Sequence, residues 1–142
     1  MLAKAVHDLQ DMRTGLNAYT VFNFFVTCYH VMDYVKALGT VDAAEVDRFS
    51  QDPDFDVARF LCNRGKHFEL RAASHKESNE VLMGAVSGIA RSGAVRSGEP
   101  VRWRLYIEGT EVRPIDLADR LVLKWEQFFD SNQIPRRNGS SV

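Results

Sequence analysis

The chain has 142 residues, 45% of them apolar, and a formal net charge of −1. That length predicts a single domain with a real core. A chain of this size buries roughly 68–70% of its unfolded surface, so it needs neither disulfide nor metal to fold. A net charge near zero also removes any global electrostatic case for nucleic acid.

Cys28 and Cys62 each sit among apolar residues, far from CxxC spacing, and read as reduced core thiols. Reduced thiols fit the cytoplasm. The start, MLAKAVHDLQDM, places His, Asp and Gln where a signal peptide needs an apolar run. The densest apolar run, from Val21 to Met32, falls short of the ~20 residues of a membrane span and is interrupted by Asn23 and His30. A soluble chain is expected.

Residues 2–13 predict a short amphipathic helix, with Leu2, Val6, Leu9 and Met12 on one face. Thr14 and Gly15 end or bend it. A long helix is expected over 17–38, closing at Gly39 as a C′ residue. It is apolar almost all round, which predicts a central place in a bundle.

The stretch 40–56 holds six acids and one base. Thr40 or Asp42 can cap a short helix over 43–49, and Asp52 or Asp54 a helix from about 54 to 72. The apolar face of that helix is Phe55, Ala58, Leu61, Cys62 and Phe68. Glycine-rich residues 73–100 predict an extended, partly looped segment with at most a weak strand at 81–90.

Residues 101–108 alternate, with Val101, Trp103, Leu105 and Ile107 on one face. Gly109 and Thr110 offer a turn, and residues 111–115 a returning strand. A last helix is expected over 116–131, capped by Asp116, with Leu117, Leu121, Trp125, Phe128 and Phe129 as its buried stripe. The expected fold is mainly α: a bundle of four or five helices over residues 1–131, with a small β-hairpin at about 100–115 before the C-terminal helix. Residues 132–142 carry too little apolar content to fold and read as a disordered tail.

Two polar stripes mark where chemistry would lie. Asn23, Thr27 and His30 share one face of the long helix; Arg59, Asn63 and His67 share one face of the next. Buried polar groups need partners, so the two stripes are expected to meet as a polar seam with a histidine on each side. Asp33 lies three residues after His30, a spacing that lets a carboxylate fix the imidazole tautomer. Lys66 beside His67 could hold a phosphate while the imidazole serves as acid or base.

No HExxH or GxSxG motif is present, and no metal or cofactor is expected. Arg59, Arg64, Lys66, Arg71 and Lys76 against Glu69 make one basic run; Arg91, Arg96, Arg102 and Arg104 against Glu99 make another. A local positive face is therefore compatible with the near-zero total, and with binding to RNA or DNA phosphates. An ordinary solvated surface reads the same residues equally well.

At RFLCNRGKHFEL the chain resembles the HEPN superfamily, small helical bundles of bacterial toxin and defence systems. It also resembles bacterial proteins whose central helix reads FNFFVTxxHxxD and is followed by CNxxKH. The resemblance spans roughly residues 17–72 and, more loosely, the last helix. Active HEPN ribonucleases carry an arginine, four to six intervening residues and a histidine, paired across a dimer. Here Arg64 and His67 have two residues between them, and Arg59 and His67 have seven. Asn63 and His67 match the polar pair within the motif.

The resemblance implies a homodimer with a site near His67. It also implies RNA or nucleotide binding, or metal-independent RNA cleavage through a ribose 2′-hydroxyl. His67 would be acid or base, Asn63 would orient it, and Lys66 with Arg59 or Arg64 would hold phosphate. His30 and Asp33 would support them from the adjacent helix. The alternative is a non-catalytic interaction or accessory module, antitoxin-like or phage-encoded. In that case the seam only fixes helix register and a protein partner docks elsewhere.

Overall fold

The computed structural model describes residues 1–64, 79–82, 104–107 and 110–136, leaving aside the side chains of 18, 63, 64, 79–82 and 104–111. Within these residues the fold is mainly helical. The expected helix over 65–72 and most of the segment 73–100 lie outside the described residues.

Helix α1 is Leu2–Thr14 and α2 is Ala18–Leu38. Gly15, Leu16 and Asn17 separate them, and Asn17 caps α2: its side chain accepts from the N–H groups of Tyr19 and Thr20, and Thr20 Oγ1 accepts from the Asn17 N–H. This reciprocal box satisfies several of the orphan donors of the first turn. Helix α2 ends at Gly39, whose φ of 66° is left-handed, as the C′ reading requires.

Asp42 caps α3, Ala43–Phe49, by accepting from Ala44 N–H at 2.9 Å. Asp52 caps a single 3-10 turn, Pro53–Phe55, which runs into α4, Asp56–Arg64. Helix α5 is Pro114–Ser131. Its start corrects the expected Asp116 cap. Pro114 occupies the first helical position, where its missing N–H costs nothing and its fixed φ suits the helix, so Asp116 lies inside the first turn. Three short strands, β1 (Asn79–Leu82), β2 (Arg104–Ile107) and β3 (Thr110–Val112), pair antiparallel in the order β1-β2-β3. Val81 stands opposite Leu105, and Tyr106 opposite Glu111.

Trp125 is fully buried near the middle of α5. Its ring meets Phe49 of α3 at 4.8 Å, Phe55 of the 3-10 turn at 5.5 Å and Phe128 at 5.7 Å between centroids. Edge and tilted contacts of this kind add to the area buried by each ring. From α2 the core takes Val21, Phe24, Phe25, Cys28, Val31 and Val35, and from α1 Leu2, Ala5, Leu9 and Met12. The predicted α5 stripe is all buried.

Charged clasps surround this core. Asp54 takes two hydrogen bonds from Arg120, at 2.9 and 3.1 Å, and a third from Lys124 at 2.8 Å. Lys124 also reaches Asp52 at 2.6 Å. Arg13 of α1 pairs with Asp119 of α5, and Lys36 of α2 with Asp47 of α3.

The tail expectation needs correction at its start. Past α5, Gln133 adopts φ 52°, its N–H bonds to the Asp130 carbonyl, and the Ile134 N–H bonds to the Phe129 carbonyl at 2.9 Å. That pair of bonds is a Schellman motif, and it turns Ile134 into the core, where it is buried. The folded region therefore continues past residue 131. Residues 137–142 lie outside the described residues.

Candidate functional site

The stripe on α2 does not behave as a buried seam. Asn23 and His30 are exposed, and only Thr27 is buried. Helical spacing puts these three on one face but does not say which way the face points. Thr27 sits at its edge toward α1, where Lys4 Nζ donates to Thr27 Oγ1 at 2.9 Å and to Asp8 Oδ2 at 2.7 Å. Among the described residues, the buried member of this stripe thus makes its polar contact with α1.

On the other edge, the Cys62 thiol of α4 approaches the Val26 carbonyl at 3.8 Å. Lys36 near the end of α2 holds Asp47 of α3, while Cys62 meets Val26 in the first half of α2. Helix α4 therefore runs back along α2. His30 occupies the open strip of α2 between these two packing edges.

His30 Nδ1 lies 2.9 Å from Asp33 Oδ2, with half of the imidazole (51%) and most of the carboxylate (66%) exposed. A carboxylate only accepts, so the neutral ring donates from Nδ1 and keeps its acceptor lone pair on Nε2. The Tyr29 ring meets the imidazole edge-on at 6.2 Å. What this arrangement can do chemically is take a proton at Nε2, with Asp33 holding tautomer and orientation.

The second stripe is described only in part. Arg59 is engaged within the fold: it pairs with Asp56 and donates from Nη2 to the Ser50 carbonyl at 2.7 Å. That carbonyl closes α3, so Arg59 satisfies an orphan acceptor at a helix end. Asn63 and Arg64 belong to α4 by backbone, but their side chains lie outside the described residues, as do Lys66 and His67 entirely. Whether His67 approaches His30 is likewise outside them.

Both cysteines are free. Burial pushes the Cys28 thiol up to about 12, against the opposing effect of the Trp125 indole beside it. Cys62 is pushed up to about 11 by burial and then by the negative charge of Asp33. Both are protonated at neutral pH, which removes thiolate nucleophiles from consideration. The Trp125 Nε1 has no hydrogen-bond partner of ordinary geometry among the described residues; sulfur beside it is only a weak acceptor.

Two further features lie on or near α1, away from both polar stripes. His7, Asp8 and Asp11 bring one donor atom each within 4.8 Å of one another. Asp8 is already bound to the Lys4 ammonium, whose positive charge opposes a cation there. A cleft of about 240 Å³ opens between the start of α1 and the end of α5, lined by Leu2, Val6, Tyr34, Glu126, Phe129 and Arg136 among others. The signal for the first was the His7–Asp11 spacing of i, i+4. The second had none, because Arg136 and Pro135 belong to the expected tail.

Among the described residues no helix is long and apolar enough to cross a membrane. Compared with protein-family models, with curated proteins and with solved structures, the chain matches none.

Proposed function

We propose that the chain is a HEPN-like helical protein that binds RNA or a nucleotide on the side of the bundle where α2 meets α4. The observation that carries this reading is the exposed His30–Asp33 pair, held at 2.9 Å with Nε2 directed away from its partner. In the mechanism, an imidazole takes the proton of a ribose 2′-hydroxyl as that oxygen attacks the adjacent phosphorus. The 5′-oxygen leaves with a proton from the second histidine, and a cyclic 2′,3′-phosphate remains. No metal takes part. His67 and His30 are the two histidines, Asp33 and Asn63 orient them, and Lys66 and Arg64 hold the phosphate. Arg59 drops out of that set because Asp56 and the Ser50 carbonyl already occupy it. The protein acts as a cytoplasmic homodimer, with the β-hairpin inserted before α5 as an accessory element.

The test is cleavage and binding of single-stranded RNA by the purified chain in EDTA, with His30→Ala and His67→Ala alongside. Cleavage or binding that either substitution abolishes supports the reading. RNA left intact and unbound by the unsubstituted chain overturns it.

A second reading has its own observation. Lys4, Asp8, Thr27 and Arg59 are polar groups spent on helix register and helix ends, as in a module that only docks a protein partner. Under that reading, substitutions of similar shape at Asn63 and His67 change stability and leave function intact.

A further inference from the structure

We draw no further inference here: the strongest candidate, the cleft of about 240 Å³ between the start of α1 and the end of α5, is largely apolar, its Glu126 and Arg136 already face each other as an ion pair, and nothing in the structure shows what covers it.

Discussion

Lys4 and Thr27 are joined at 2.9 Å across the α1–α2 interface, and the same ammonium holds Asp8 one turn further along α1. Asp8 and Thr27 are buried while the lysine stem reaches in from the surface. A long aliphatic stem suits this role, because it carries the ammonium from the helix surface to two buried oxygens. Thr27→Val keeps the shape and removes one acceptor, so it should cost about 1 kcal/mol. Lys4→Met strands the Asp8 carboxylate and should cost more, about 1–3 kcal/mol. Urea unfolding of both variants checks the order; a larger loss from Thr27→Val would contradict the assignment.

Gln133 and Gly39 occupy the same left-handed region, with φ of 52° and 66°. A side chain there costs roughly 1–2 kcal/mol through its Cβ. Gln133→Gly should therefore stabilise the protein by about 0.5–1 kcal/mol, less than the full steric relief because glycine loses more chain entropy. Gly39→Ala should destabilise by about 1 kcal/mol, and through backbone strain alone, since an added Cβ meets nothing within 4 Å. Thermal unfolding should move in opposite directions for the two.

Asp54 is the acid on which pH dependence should turn. The Arg120 guanidinium holds its carboxyl below the ordinary value of 3.8, with Lys124 adding to the effect and burial opposing it. A depressed folded value means the stabilisation is complete above the unfolded value and disappears as pH falls through the folded one. Its side chain is 14% exposed, so Asp54→Asn should cost about 1–2 kcal/mol at neutral pH. The gap between the unsubstituted chain and this variant should close below about pH 4. A gap that stays constant down to pH 2 would remove Asp54 from the account.

Arg59 separates structural from phosphate-binding arginines. Arg59→Ala should lower stability by about 1–2 kcal/mol through loss of the Asp56 and Ser50 contacts. It should leave the salt dependence of any RNA binding unchanged, whereas loss of a phosphate contact reduces the slope by about one. Titrations at several salt concentrations give the answer directly.

Asp33 should act as a positioning residue. Asp33→Asn keeps a group near His30 but can present an N–H to Nδ1 and invert the tautomer. RNA cleavage should fall by more than about 10-fold, short of the ~10²–10⁴ that general acid–base catalysis itself supplies. The helix content should not change, because the carboxylate faces solvent. Equal rates for Asp33→Asn and the unsubstituted chain would take His30 out of the chemistry.

Much of the helical frame was legible. The α5 stripe from Leu117 to Phe129 and the C′ role of Gly39 follow from periodicity and local geometry, and they stand as read. Of the paired cap candidates the structure selects Asp42 over Thr40 and Asp52 over Asp54, the latter capping the 3-10 turn ahead of α4. The partners of polar residues were not legible. Thr27 and His30 share a face by spacing, but only tertiary packing decides that one meets Lys4 and the other meets water. Ile134 was missed because the Schellman turn here uses Gln133 where glycine is the usual signal. Its one sequence trace was the apolar pair Phe129 and Ile134 at the spacing such a turn brings together. Pro114 was a readable helix start, passed over in favour of the acid two residues later.

The placement of Trp125 also makes the core depend on the last part of the chain to be synthesised. Phe49 and Phe55 complete their packing only against a residue that is synthesised 70 positions after Phe55. Until α5 has been made, these two rings lack the indole that fills the space beside them, and much of the apolar surface of α1 to α4 has no partner. The core of this chain is closed by contacts between its middle and its end.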